Sequence, residues 1–348
     1  MISQDTHPFI PIYQRLANEF TTAIREFKLA PGSRIDSISE LQARFSVSRE
    51  TAKLVLKTLA NQGLIVQQPG KGSFVSDLSP HKKIWGVVLP FYSMQYEDLI
   101  EKIRSHATAQ GREFFHFVDY NSWEEEVRRV GWMIAQRYEV VMVVPTLDES
   151  KTAEFYNRLS PQGTFVALLD HTMTGSYFGY VVQSYDLGVT RGMEYLYSKG
   201  CKKIAFLRNE TWAGRNLIQE LMEQTYTTVV AKHSLNSAQC IIDRAADLTS
   251  SFVNEQAIDG LFVCDDADAV RAIGSLMQQG VDIPQQVKVV SYGNTALARY
   301  FTPSITSIDP HNEEMASIIV SIISSHLAGN NTSLSQYIVQ PDLIVRNT

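Results

Sequence analysis

The chain has 348 residues, 44% of them apolar and 20% charged, with a formal net charge of −6; that balance belongs to a globular protein and excludes a disordered or membrane-embedded one. No apolar run approaches the roughly 18 residues of a membrane span, and the opening MISQDTHPFIPIYQR lacks the basic-then-apolar pattern of a secretory signal, so a cytoplasmic protein without membrane partners is expected. The length exceeds one ordinary domain and leaves room for a small domain plus one or two lobes of roughly 100 to 150 residues.

Charge is unevenly spread. Residues 1–82 hold ten Lys/Arg against seven Asp/Glu, and the remainder holds 21 against 30. A basic head on an acidic body is compatible with nucleic acid at the head, because phosphate attraction depends on the local face rather than the total. Cys201, Cys240 and Cys264 are odd in number, widely spaced and set among apolar residues. That usage speaks for reduced, buried thiols and against a disulfide framework or a zinc site.

In chain order, Ile12, Leu16, Phe20, Ile24 and Phe27 recur every three or four positions, predicting an amphipathic helix from Pro11 to Leu29 with Pro11 in its first turn and Pro31-Gly32 beyond its end. A short second helix is predicted over Ser39 to Phe45, with Leu41 and Phe45 facing inward. After the break Ser46-Val47-Ser48, Ser48 caps a third helix, Arg49 to Gln62, whose buried stripe is Ala52, Val55, Leu56 and Leu59. Two short helices joined by a tight turn, the second opening in polar and basic residues, form a helix-turn-helix pattern. Leu64 to Gln68, the turn Pro69-Gly70-Lys71-Gly72 and Ser73 to Val75 then read as a two-stranded wing whose glycine-rich turn lets backbone approach a duplex closely.

The blocks PIYQRLANEF, LAPGSRI, SVSRETAKLVLKTLANQGLI and QQPGKGSFV resemble the winged helix-turn-helix of the GntR family over residues 8 to 76. Carried over position by position, the resemblance implies DNA contacts at Ser39, Arg49, Thr51, Lys53, Gly70 and Lys71. Arg49 is the candidate for reading a base edge, since a guanidinium donates two hydrogen bonds to guanine; Thr51 and Lys53 suit phosphate, and Arg49 and Lys53 are expected opposite the apolar stripe. Ser39 has a plain alternative as a helix cap. Asp36, where the family has proline, and Lys53, where it has arginine, leave the operator sequence open.

Ser76 to Lys83 is polar and aperiodic, as a linker is. Beyond it, strands are predicted at Ile84–Leu89, Phe114–Val118, Val140–Val144, Phe165–Leu169, Ile204–Leu207, Gly260–Val263 and Val287–Ser291. Helical spacing lies between them at Tyr96–Gln110, Ser122–Gln136 and Ala267–Gln279. This alternation predicts parallel, doubly wound sheets, and about 265 residues of it predict two lobes.

YLYSKGCKKIAFL, AIDGLFVCDDADAVRAIGSLMQQGVDIPQQVKVVSYGN, TPSITSIDPHNEEMA and QPDLIVRN resemble the sugar-sensing domain of the LacI family, which shares its fold with periplasmic sugar-binding proteins. The resemblance is close over residues 179 to 346 and looser over 84 to 170. The implied organisation is a winged helix-turn-helix at 1–76 (α+β), a linker at 77–83 and an α/β two-lobe periplasmic-binding-protein-like domain at 84–348. Lobe 1 then covers about 84–182 plus 311–336, and lobe 2 about 183–308 plus 337–348. Ligand contacts are implied at Phe91, Tyr92, Asp170, Arg215, Asp265, Asn294 and His311, a set of aromatic faces and in-plane polar groups suited to a sugar. Bland alternatives stand beside some of them: Asp266 capping the helix that follows, Asn294 as a turn residue, His311 as hinge packing. Gly293 and Ser184 stand where the family carries aspartates.

No phosphate loop, dinucleotide fingerprint, His-Glu-x-x-His or nucleophile elbow is present, so neither catalytic residues nor cofactors are expected. The expectation is a repressor: a homodimer on a palindromic operator in double-stranded DNA, controlled by a sugar or, alternatively, by a non-sugar effector such as a nucleoside. An enzyme using the two-lobe cleft is the rival from another class.

Overall fold

The computed structural model describes residues 11–25, 28–29, 32–68, 70–76, 82–146, 150–159, 164–173, 178–209, 217–233, 240–329 and 335–348. Phe27, Pro31, Pro69, Arg215 and linker residues 77–81 lie outside the described residues.

In the head, α1 (Ile12–Arg25) begins just after Pro11, whose carbonyl accepts from the Gln14 and Arg15 amides at 2.9 and 3.1 Å. Pro11 therefore precedes the first turn instead of lying in it, and at the far end Lys28 and Leu29, inside the predicted span, are not helical. Leu16, Ala17, Phe20 and Ile24 are buried, whereas Ile12 at the open end of the stripe is 46% exposed. There follow β1 (Arg34–Ile35), α2 (Ile38–Phe45), α3 (Arg49–Asn61), β2 (Ile65–Gln68) and β3 (Gly72–Val75). The predicted hairpin forms, with Gln68 opposite Gly72 and Val66 opposite Phe74. Arg34 and Ile35 pair with the other edge of β3, making a third strand too short to show periodicity in the sequence.

Ser37, not Ser39, caps α2. Its hydroxyl accepts from the Glu40 amide at 3.3 Å, while the Glu40 carboxylate accepts from the Ser37 amide at 2.6 Å, a reciprocal capping box. Ser46, in left-handed conformation, ends α2, and Ser48 caps α3 by accepting from the Thr51 amide at 3.1 Å. Ala52, Val55, Leu56 and Leu59 are all buried, as the stripe predicts. Ser37→Ala is expected to cost about 1 kcal/mol locally. In the full chain this is read as roughly fivefold faster amide exchange in peptides covering α2, with residues 312–327 of the body as the unaffected reference.

The body contains β4 (Lys82–Leu89), α4 (Met94–Ala109), β5 (Glu113–Val118), α5 (Trp123–Ala135), β6 (Tyr138–Val143), α6 (Ser150–Leu159), β7 (Phe165–Leu169) and β8 (Tyr180–Gln183). It continues through α7 (Tyr185–Ser198), β9 (Ile204–Leu207), α8 (Leu217–His233), β10 (Ile241–Ile242), α9 (Ser250–Glu255), β11 (Gly260–Val263), α10 (Asp266–Gln278), β12 (Lys288–Tyr292), α11 (Ala296–Tyr300) and β13 (Thr306–Asp309). It ends in α12 (Asn312–Leu327), β14 (Gln336–Val339) and β15 (Asp342–Ile344).

Two six-stranded sheets result, in the orders β14-β8-β7-β6-β4-β5 and β10-β9-β11-β12-β13-β15. The chain passes between them three times, after β8, after β13 and after β14. The last passage lies beyond Val339 rather than at residue 336, because β14 pairs with β8. Pairing is parallel except at the end, where β15 runs antiparallel to β13. Its chain enters the second sheet from the hinge, at the carboxyl ends of the strands, and runs back along β13, adding one antiparallel edge strand to the predicted parallel sheets.

α12 returns to the first lobe and packs on α4, where the Asn312 amide group donates to the Asp98 carboxylate at 2.9 Å and the Gln95 carbonyl at 3.2 Å. Cys201, Cys240 and Cys264 are buried free thiols. Gly188 is held to glycine by close approach: a Cβ there would lie 2.7 Å from the Tyr292 ring. No helix among the described residues is long and apolar enough to cross a membrane.

Candidate DNA interface and effector cleft

In the head, Arg49 and Lys53 are exposed on α3, Ser39 is exposed in the first turn of α2, and Gly70 and Lys71 are exposed at the turn of the wing. Gly70 has φ +73°, a conformation that favours glycine, and a Cβ there would meet nothing within 4 Å. The turn thus presents backbone and the Lys71 side chain. Thr51 is partly engaged within its own helix, its hydroxyl 2.9 Å from that of Ser48. The Lys53 ammonium lies 2.8 Å from Glu50, and this contact holds the Glu50 carboxyl below its ordinary range. Lys57, exposed one turn beyond Lys53, extends the cationic row and was not singled out from the sequence, although its i+4 spacing was there to read.

In the body, the predicted ligand residues fall where open parallel sheets bind, beyond the carboxyl ends of the strands. Phe91 and Tyr92 follow β4, Asp170 follows β7, Asp265 follows β11 and Asn294 follows β12. Two of them meet in a cavity formed by described residues. Asn294 and His311, with Gly293, line a cavity of about 480 Å³ flanked by Asp98 and Lys102 of α4, Arg299 and Asp309, and Asn312, Glu313, Glu314 and Ser317 of α12. Phe91, Tyr92, Asp170 and Asp265 are not in that lining.

Asp170, with φ +59°, is the centre of a buried polar cluster. Its carboxylate accepts from the Tyr185 hydroxyl at 2.7 Å, the Gln183 amide group at 2.8 Å and the Tyr96 hydroxyl at 2.9 Å. The Gln183 carbonyl oxygen in turn accepts from the Tyr292 hydroxyl at 2.8 Å, and the Tyr185 and Tyr292 rings stack 5.4 Å apart. Tyr96, Asp170 and Gln183, the last residue of β8, belong to the first lobe, and Tyr185 and Tyr292 to the second. The cluster joins the lobes at the hinge. Burial pushes the Asp170 carboxyl up, and its three donors pull against that.

Asp265 is the residue that caps α10, accepting from the Ala267 amide at 2.7 Å, and burial raises it to about 6. The expectation that Asp266 is the cap is corrected: it lies buried and accepts from the Ser307 hydroxyl at 2.8 Å, the Thr295 amide at 2.6 Å and the Ser291 hydroxyl. It thereby ties β12 to β13. This placement also accounts for Gly293, whose φ of +126° disfavours any side chain and whose Cβ would stand 3.2 Å from the Asp266 carboxylate.

Asn294 is a left-handed turn residue (φ 47°) whose amide group donates to Asp309 at 2.7 Å and whose side-chain oxygen accepts from Arg346. His311 precedes α12 at φ 57°, with its ring 3.1 Å from Asp342. Phe91 is nearly buried against Tyr96, ring centres 5.3 Å apart, while Tyr92 is 54% exposed. Ser184, in place of the family's aspartate, donates to Asp186.

Sequence reading missed a second acidic centre in the first lobe. Glu126 is buried and accepts from the Thr146 amide and hydroxyl at 2.7 and 2.8 Å and from the Tyr156 hydroxyl at 2.6 Å. Beside it, Asp119 follows β5 and accepts from the Asn121 amide at 2.8 Å, but its other oxygen is buried without a hydrogen-bond partner. Burial, and then the charge of Glu126, raise Asp119 to about 8. Below the ordinary aspartate range both folded and unfolded chains hold this proton, so nothing is lost. As pH rises, the unfolded chain releases it first, and stability falls until the folded group itself ionises near pH 8. Asp119→Asn is expected to flatten the decline in melting temperature between pH 5 and 8; parallel wild-type and variant curves would contradict the assignment.

Among known proteins, residues 12–75 match the model of bacterial regulatory proteins of the gntR family, and residues 193–348 match that of a periplasmic binding protein-like domain. The chain is 22% identical over 365 residues to the arabinose metabolism transcriptional repressor of Halalkalibacterium halodurans, covering 97% of this chain and 96% of that protein. It is 19% identical over 320 residues to the HTH-type transcriptional repressor PurR of Haemophilus influenzae, covering 87% and 90%. The solved periplasmic binding protein/LacI transcriptional regulator of Alkaliphilus metalliredigens, complexed with D-xylulofuranose, superimposes with a TM-score of 0.63 at 20% identity, covering 77% of this chain and 99% of that one. The chain therefore joins a head that matches the gntR-family model of bacterial regulatory proteins to a body that matches the periplasmic binding protein-like model and has the fold of LacI-type regulators.

Proposed function

We propose that this chain is a DNA-binding transcriptional repressor, acting in the cytoplasm as a homodimer on a palindromic operator, whose operator affinity is set by a sugar or sugar derivative held between the two lobes. One observation carries the reading most: a gntR-type head with exposed Arg49, Lys53 and Lys71 stands on the same chain as a two-lobe body whose hinge is a single polar cluster. The names of the relatives, one an arabinose metabolism repressor and one a regulator holding D-xylulofuranose, support a sugar. Arg49 is assigned to a base edge; Ser39, Thr51, Lys53 and Lys71 to phosphate; and the Gly70 turn to close backbone approach.

For the effector, Tyr92, Asp265, Asn294 and His311 are assigned direct contacts, since they reach the cleft side of the strands. Asp170 is assigned to the hinge, its oxygens being taken by protein donors. A ligand that prefers one angle between the lobes shifts the population toward it and so changes how the head is presented. A thermal-shift screen of the whole chain against sugars, sugar phosphates and nucleosides tests this, because a ligand of the folded state raises the melting temperature. Stabilisation by sugars alone supports the reading, stabilisation by nucleosides alone replaces the effector class, and no response overturns it.

A further inference from the structure

We infer that Leu54 is a specificity-determining residue of the recognition helix, and that it reads the C5-methyl group of a thymine in the operator. The inference rests on the DNA-binding reading of the head. At 3.6 residues per turn, the buried residues Ala52, Val55, Leu56 and Leu59 occupy one side of α3. The residues on the opposite side are Glu50, Leu54, Lys57 and Asn61, at i, i+4, i+7 and i+11, with Arg49 and Lys53 on its flank; all six are exposed. The expectation that Arg49 and Lys53 stand opposite the stripe is thereby refined: the centre of the open face is Glu50 and Leu54.

On that face Glu50 and Lys53 are paired with each other at 2.8 Å. Leu54, 40% exposed, is its one large apolar side chain. A single exposed leucine on an ordinary surface needs no explanation. On a helix that enters the major groove it meets base edges, and among the groups presented there the thymine methyl alone is apolar. Set against a carbonyl or amino edge, the leucine would strip water from a polar group and return no hydrogen bond. Set against a methyl, both apolar surfaces leave water together. Its place in the second turn, five residues after Arg49, keeps it in the helix half that such motifs direct at the bases.

The test is selection of binding duplexes from a random-sequence pool by the full-length protein and by Leu54→Ala and Leu54→Met at one salt concentration. Wild type is expected to enrich half-sites with a thymine that becomes degenerate in Leu54→Ala and is retained in Leu54→Met, the rest of the consensus being unchanged. Replacing that thymine by deoxyuridine, which lacks only the methyl, should weaken wild type about three- to tenfold and Leu54→Ala by less than twofold. An unchanged consensus in Leu54→Ala, or an equal deoxyuridine penalty in both proteins, overturns the inference while leaving DNA binding intact. Failure of wild type to enrich any sequence overturns both together. Matching far-ultraviolet circular dichroism of the three proteins shows that the comparison is between folded chains.

Discussion

Arg49→Ala is expected to weaken operator binding by about five- to 150-fold, the range for losing a bidentate contact to guanine worth roughly 1–3 kcal/mol. Arg49 is the first residue of α3, exposed and held in register by the Ser48 cap one position earlier. Since it is exposed on the flank of the helix's open face, removing it creates no cavity, and the head should keep its fold. The loss should concentrate at the base pair it reads, whereas Lys53→Ala should weaken all sequences more evenly and reduce the salt dependence of binding. Fluorescence anisotropy on the selected duplex measures the first effect, and calorimetry with the effector measures the body. Concurrent loss of both activities in Arg49→Ala would contradict the division of labour between head and body.

Asp170→Ala is expected to be the most damaging single substitution in the hinge, costing about 3–5 kcal/mol. The side chain is buried, and its removal leaves the hydroxyls of Tyr96 and Tyr185 and the amide group of Gln183 without their common acceptor. Asp170→Asn retains the size but offers one acceptor oxygen where three donors converge, so an intermediate loss is expected. Urea denaturation followed by the tryptophans, which at positions 85, 123, 132 and 212 all belong to the body, reads the effect without interference from the head. If Asp170→Ala unfolded like wild type yet lost effector affinity, Asp170 would be a ligand contact and the hinge assignment would be wrong.

The legibility of this fold follows burial. Phe165–Leu169, Ile204–Leu207 and Gly260–Val263 are buried along their whole length, and their predicted bounds match the observed strands. Strands covered on both faces read as plain apolar runs bounded by polar residues. By contrast β14 is exposed for three of its four residues, and β1 and β10 are two residues long, so none carries a pattern to find. The same holds for caps: Ser48 reads as the cap of its helix, whereas the second helix is predicted to begin only at Ser39 and Ser37 is not singled out. The Ser37-x-x-Glu40 spacing was nonetheless the available signal for the true cap.

The cleft was less legible than the strands because its polar groups are satisfied across long separations. Tyr96 and Asp170 are 74 residues apart, and Tyr292 and Gln183 are 109 apart. No local pattern announces that Asp170 is consumed by tyrosines. Asp265 and Asp266 are adjacent, so which one caps and which one cross-links strands depends on Ser291 and Ser307, brought near only by the β12–β13 pairing. Asp119 and Glu126 escaped notice because acidic residues in a polar loop and a helix start read as surface. Glu126 is taken up by Thr146, beyond the end of β6, and by Tyr156 of α6, both distant in sequence.

Coupling of a DNA-gripping head to a ligand-sensing body on one chain is tested most directly by the dissociation constant for the selected duplex, measured with and without a saturating concentration of the ligand found by thermal shift. A change of at least about tenfold, equivalent to 1.4 kcal/mol of coupling, is the predicted result. A ligand that binds the body and leaves operator affinity unchanged would contradict the account.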